Sequence, residues 1–275
     1  MSQQNTEQHK GVRTSLIHAP LFDIVKFLVV IGAITWLMAS GTEKLGYIWH
    51  WHRIPRYIFS YEHGALAAGP LVQGLLVTLK ITAVSLIFAF MFGLISAFFR
   101  LSHSSIARAI ARIYLELIRN TPLLVQLFFI YFVLSPILDI SRFAAAVLAL
   151  SLFEGAYASE IFRAGFVSIH AGQWEAAYSL GLSTIHAYRY ILLPQAIRRI
   201  LPPLTSQAIS LIKDSALVST IAIYDLTMQA QAIIAETYLT FELWFTVAAI
   251  YLAITVTLSV VVSIMETRLK AEARL

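Results

Sequence analysis

Cysteine is missing from the chain altogether. Its absence excludes disulfides, a thiolate nucleophile and any cysteine-ligated zinc or iron–sulfur centre. Charge is scarce too: Asp, Glu, Lys and Arg make up 13% of 275 residues and hydrophobic residues 59%, whereas soluble domains carry about a quarter of their residues charged. No soluble domain of useful size fits between the apolar runs, so the composition predicts one polytopic membrane domain. None of the six lysines stands in a G-x4-G-K-[ST] setting. The chain therefore lacks a phosphate-cradling loop, and any nucleotide must be bound by another subunit. G-x-S-x-G and H-E-x-x-H groupings are absent as well, which argues against an enzyme and leaves no catalytic, cofactor or metal residue to assign. His50, His52 and His63 share a loop without an ordered ligand spacing.

What the chain does contain is long apolar runs. About 20 such residues let a helix cross the hydrocarbon core with its backbone internally paired. Six segments qualify, at about 21–40, 71–99, 123–138 with a helical lead-in from about 105, 143–163, 199–222 and 242–264. Pro202, Pro203, Lys213 and Asp214 interrupt the fifth of these. With the N-terminus inside, the cytoplasmic segments hold thirteen of the Lys and Arg residues and the outer loops four. Both termini are thus expected in the cytoplasm, and the net charge of +5 marks cytoplasmic loops rather than a nucleic-acid surface. Residues 1–20 read as a polar cytoplasmic leader without the short basic start of a cleaved signal. Aromatic rings crowd residues 41–70, with Tyr47, Trp49, Trp51, Tyr57, Phe59 and Tyr61 suited to the outer headgroup level.

The most structured polar stretch is WEAAYSLGLSTIHAYRYILLP at 174–194. Trp174, Ala177, Tyr178, Gly181 and Leu182 follow helical spacing and leave Glu175 and Ser179 on the other side. Gly181 suits the position just past a helix C-terminus, and Ser183 the N-cap of a second short helix, roughly Thr184 to Leu192, that ends against Pro194. The predicted shape is a helical elbow. Two other readings of the stretch are a helix-turn-helix DNA reader, with its glycine in the turn, and an inert cytoplasmic loop. The first needs a soluble body to carry it, and here apolar segments adjoin on both sides.

Glu175, Ala176 and Ala177, then Gly181, Ile191, Leu193 and Pro194 match EAA-x3-G-x9-I-x-L-P without a gap. This pattern resembles the EAA signature of the inner-membrane permeases of ABC importers. From Leu71 onward the chain is similar to their polar amino acid subfamily, through GLLVTLKIT at 74–82, YLELIRNTPLLVQLFFIYF at 114–132, EGAYASEIFRAGFVSIHAGQWEAA at 154–177, LPQAIRRILPPL and LIKDSALVSTIA. The resemblance implies an all-α bundle of the type I importer kind, with the elbow as the coupling helix seated in a groove of an ABC ATPase subunit. It also implies a second permease copy, identical or paralogous, a solute-binding protein and a polar amino acid substrate at the inner membrane. Two departures stand out: Asn120 replaces the glycine usual in the R-G-T-P turn, and the span at 21–40 precedes the usual five-helix core. The expected layout is therefore a leader (1–20), an extra helix with the aromatic loop (21–70), the permease core (71–266) and a cytoplasmic tail (267–275).

Several polar residues inside or beside the spans are further candidates. Arg119, Thr121 and Pro122 form a turn at a cytoplasmic edge, where Pro122 can start a helix and Arg119 can anchor topology or serve coupling. Glu154 sits about 16 Å into its span, where a carboxyl faces either a water-filled route or a partner helix. Glu160 and Arg163 are spaced for an ion pair on one helix face. Lys80 can snorkel to the headgroups or meet a substrate carboxylate. Lys213 and Asp214 suggest a break in the helix, with backbone exposed inside the bundle. An ion-coupled secondary carrier using Glu154 and Lys80 is the alternative from another class; such carriers are commonly built on internal repeats, and none is evident here.

Overall fold

The computed structural model describes residues 19–272 apart from 45, 63 and 64. Most of the leader expected over 1–20, His63 and the last three residues of the tail lie outside the described residues. Two compact units emerge, Met1–His50 and Trp51–Leu275. The first contains α1 (Ala19–Lys44), which encloses the span expected at 21–40. Gly46, at φ 63°, follows it, and the rings of Tyr47 and Trp49 then meet edge to face at 5.4 Å.

In the second unit the aromatic stretch folds locally. A short α2 (Pro55–Ile58) leads into an antiparallel hairpin of β1 (Phe59–Glu62) and β2 (Ala65–Ala68), with Phe59 opposite Ala68. Helix α3 (Pro70–Leu101) then runs for 32 residues, about 48 Å at 1.5 Å per residue. Its Pro70 occupies the first turn, where a missing N–H costs nothing.

A tight turn separates α3 from α4 (Ser105–Arg119), whose N-cap Ser104 accepts from the Ala107 amide at 3.3 Å. Between α4 and the next span the chain bends by 105°, at the turn expected over Arg119, Thr121 and Pro122. Pro122 has no N–H to continue the helix, and Gln126 Nε2 fastens the corner by donating to the carbonyls of Ile118 (2.7 Å) and Thr121 (3.0 Å). Beyond the corner lie α5 (Leu123–Phe128), a π turn (Phe129–Leu134) and α6 (Ser135–Leu138).

Helix α7 (Arg142–Val167) packs most extensively against α3. Small residues allow it: a Cβ on Gly93 would lie 2.7 Å from the Ala158 Cβ, and Ala89 and Ala158 are buried in the same seam. Close backbone approach of this kind is how helices associate where lipid supplies no hydrophobic driving force.

The elbow follows as α8 (Ala171–Ser179) and α9 (Thr184–Ala187). The second elbow helix does not end at Pro194. It widens into a π turn (Tyr188–Leu192) and continues as α10 (Leu193–Asp214), through Pro202 and Pro203. Both π turns precede a proline, Pro136 and Pro194, whose ring would press on the carbonyl four residues back; a wider turn relieves that contact. The interruption expected at Lys213 and Asp214 appears as a change of helix type, a 3-10 segment (Ser215–Ile221) closed by Ala222 at φ 56°. The Arg142 guanidinium holds that residue by donating to its carbonyl at 2.7 Å. Asp225 then caps α11 (Leu226–Thr237), and α12 (Thr240–Glu272) completes the chain.

Helices α3, α7 and α12 are each long and apolar enough to cross a membrane. Two bent pairs, α4 with α5–α6 and α9–α10 with α11, qualify as broken spans. Within the unit, Ile81, Leu127, Leu150 and Leu211 centre the largest buried cluster, while Ala158, Ala196, Ile200 and Leu204 form another beneath the elbow.

Candidate functional site

The elbow is built from local rules. Helix α8 closes in a Schellman motif: Gly181 takes φ 74°, its amide donates to Tyr178 O (2.9 Å), and the Leu182 amide donates to Ala177 O (3.1 Å). Ser183 accepts from the His186 amide as the N-cap of α9. Of the apolar face expected on α8, only Ala177 is fully buried. Glu175, Ala176, Gly181, Leu193 and Pro194 are exposed, and Ile191 is half-buried.

The knob is fastened to the bundle at several points. Trp174 meets Tyr188 edge to face at 4.7 Å and shares a cavity of about 220 Å³ with Phe98, Leu101 and Phe166, at the ends of α3 and α7. The Arg199 guanidinium donates to the Ser168 carbonyl and, at 2.9 Å, to its hydroxyl, while Gln195 Nε2 donates to Gln173 Oε1 at 3.0 Å. Gly165 of α7 leaves no room for a Cβ beside Ile200 of α10. Its far side carries Leu180 and Ile185, each 77% exposed, beside Tyr178 and Tyr190. An exposed apolar crown on a polar elbow is what a protein partner would cover.

In the bundle interior Glu154 is 1% exposed. Gln207 Nε2 donates to its Oε2, and the Asp214 carboxyl is its other side-chain partner. Asp214 lies seven residues beyond Gln207 on α10 and is close enough to act on Glu154 electrostatically. Lys213 is exposed on another side of the helix. Lys80 is exposed on α3, with its ammonium 5.4 Å from the centre of the Phe143 ring. The structure thus brings Glu154, Gln207 and Asp214 together and leaves Lys80 apart from them, while the exposed Lys213 acts on Asp214 electrostatically.

Glu160 gathers more than Arg163. Its Oε1 lies 2.8 Å from Arg100 Nη1 and 3.0 Å from Arg119 Nη1, its Oε2 3.3 Å from Arg163 Nη2. Arg119 accordingly reaches α7, not the elbow, and its guanidinium also lies 5.7 Å from the centre of the Tyr157 ring. In the same turn Asn120 Nδ2 donates to Glu116 at 2.8 Å, and Thr121 Oγ1 accepts from Gln126. Sequence reasoning passed over Arg100, Gln126, Arg199 and Gln207. The signal for Gln126 and Gln207 was present, a lone amide inside an apolar helix, but their partners are distant in sequence.

A bundle of long apolar helices with an exposed polar elbow, and no nucleotide loop in the sequence, fits a membrane transport subunit. The comparisons agree. Residues 89–273 match the family described as binding-protein-dependent transport system inner membrane component. The glutamine transport system permease protein GlnP of Escherichia coli (strain K12) is 42% identical over 203 residues, spanning 73% of this chain and 93% of that protein. The probable glutamine ABC transporter permease protein GlnP of Bacillus subtilis (strain 168) is 40% identical over 214 residues, or 76% and 96%. Among solved structures, that of an amino acid ABC transporter with histidines aligns with a TM-score of 0.68 and 41% identity, over 72% of this chain and 94% of the other. An inward-facing form of the MetNI methionine ABC transporter, at 21% identity over 72% and 95%, shares the fold with a TM-score of 0.60. The chain belongs to the family of binding-protein-dependent transport system inner membrane components. It is a multi-pass permease and not an enzyme, and α1 lies outside the matched residues.

Proposed function

We propose that this permease carries polar amino acids inward across the cytoplasmic membrane, as the membrane subunit of an ATP-driven importer. The single observation behind the coupling mechanism is the elbow: its crown is exposed, and its base is tied by hydrogen bonds to α10, which continues from it and packs on α7. A force applied to the crown would reach the spanning helices without being absorbed in a flexible loop. The glutamine permeases and the amino acid transporter at about two-fifths identity support the substrate class.

In this reading the elbow faces the cytoplasm with both termini, and two permease copies enclose the route. ATPase subunits, which supply the nucleotide and magnesium chemistry, dock on Glu175, Ala176, Gly181 and the surrounding crown; a solute-binding protein delivers substrate on the opposite side. ATP closes the ATPase pair, the elbows approach each other, and the bundle opens outward; hydrolysis reverses the cycle. Each partner shifts the permease only as far as it prefers one of the two states. Glu154, Gln207 and Asp214 supply the polar lining of the route, with the paired carboxyls of Glu154 and Asp214 available to an ammonium or amide group.

Reconstitution in vesicles with an ATPase and a binding protein tests the assignment. Uptake of polar amino acids that requires internal ATP, and survives collapse of ion gradients, is expected. Uptake that persists without ATP and stops when the gradient is dissipated would replace the importer with an ion-coupled carrier.

A further inference from the structure

Beside the turn between α4 and α5 lies a cavity of about 610 Å³ that the transport reading leaves without a role. Five arginines line it: Arg100 from α3, Arg108, Arg112 and Arg119 from α4, and Arg163 from α7. Against them stand two carboxylates. Glu160 is spent on Arg100, Arg119 and Arg163, and Glu116 accepts from Asn120. Arg108 turns to the carbonyls of Ser102 and His103 at 2.9 and 3.0 Å, and neither it nor Arg112 joins an ion pair among the described residues. Five guanidinium groups and two carboxylates leave a formal excess of three positive charges around one cavity. Charges so concentrated repel one another unless an anion enters among them.

The chemistry of the lining selects the anion. Guanidinium groups present planar forks that fit the oxygens of a phosphate, and several converging forks favour a multiply acceptor-rich group over a single carboxylate. The opposite side of α4 selects its setting. Ile106, Ile110, Ile113 and Leu117 recur at i, i+4, i+7 and i+11 and are all exposed, a stripe suited to acyl chains while the arginines stay at headgroup level. We propose that this basin is an anion site for a phosphate group, with the headgroup of an anionic lipid as the occupant that the adjoining apolar stripe favours and free phosphate as the other source. Bound there, the anion would bridge α4 to the ends of α3 and α7, the same helices that Glu160 joins, and so hold the corner within that broken span.

The test uses the full chain in nanodiscs, without reliance on the transport assignment. One arm compares discs of phosphatidylcholine with discs containing phosphatidylglycerol, counting lipids retained on the protein by native mass spectrometry. A second arm titrates inorganic phosphate into phosphatidylcholine discs. Binding in either arm is expected to weaken about tenfold in Arg112→Gln and further in Arg108→Gln/Arg112→Gln, while Arg112→Lys retains part of it and the thermal transition of Arg112→Gln stays near that of the parent. Lipid retention alone identifies a lipid site, and phosphate binding alone a soluble-anion site. Failure of both anions to bind, or binding equal in parent and Gln variants, would overturn the proposal.

Discussion

Two residues concentrate the local physics of this permease. Gly181 sits at φ 74° with no atom within 4 Å of where a Cβ would stand, so a side chain there meets backbone strain and not a clash. That strain is about 1–2 kcal/mol for a β-branched residue and less for asparagine. Gly181→Val is therefore expected to speed hydrogen exchange at the Gly181 and Leu182 amides about tenfold, with Gly181→Asn near the parent; equal exchange in the two variants would show that the left-handed turn is not what closes α8. Glu154 differs in kind, since its cost is desolvation. Glu154→Gln keeps a partner for the Gln207 amide and is expected to preserve stability while raising the KM for substrate, if the cluster lines the route. Glu154→Leu strands that amide, at a cost of about 1–3 kcal/mol, read as a lower thermal transition in detergent.

At the scale of elements, the account depends on how helices are joined. Arg199 and Gln195 tie the first turns of α10 to the segment around Ser168 and Gln173. Removing the first tie by Arg199→Met should leave ATP hydrolysis by the docked partner measurable while uptake per ATP falls several-fold; an unchanged ratio would mean that the tie carries no motion. The α3–α7 seam behaves as a packing joint. Gly93→Val drives a side chain into Ala158 and is expected to cost about 1–3 kcal/mol through overpacking, seen as a lowered thermal transition.

These joints also explain what could and could not be read from the sequence. Of the six expected spans, the positions of α3, α7 and α12 were legible, as were the glycine-closed α8 and the Ser183 cap, because each follows from hydrophobic runs or from one residue's backbone preference. The size of the bend at the Pro122 turn, 105°, and the continuation of the second elbow helix past Pro194 were not. In both cases a proline marks the place, but distant geometry and hydrogen bonding decide between stopping, bending and widening a helix. Likewise Glu160 and Arg163 are neighbours in sequence, whereas Arg100 and Arg119 reach the same carboxylate from α3 and α4.

At the scale of the whole molecule, the claim is that a membrane bundle with no energy source of its own is moved through one fastened knob. The apolar stretch of α12 is left almost wholly unburied by the rest of the chain, which fits a subunit that works in an assembly. The most direct measurement is ATP-driven uptake into vesicles by a permease bearing Glu175→Lys together with Gly181→Asp, with retention of the bundle checked by its thermal transition. Loss of most uptake, from a bundle that still folds and still binds its substrate, is the predicted result. Uptake and stimulated ATP hydrolysis at the parent's rate would contradict it.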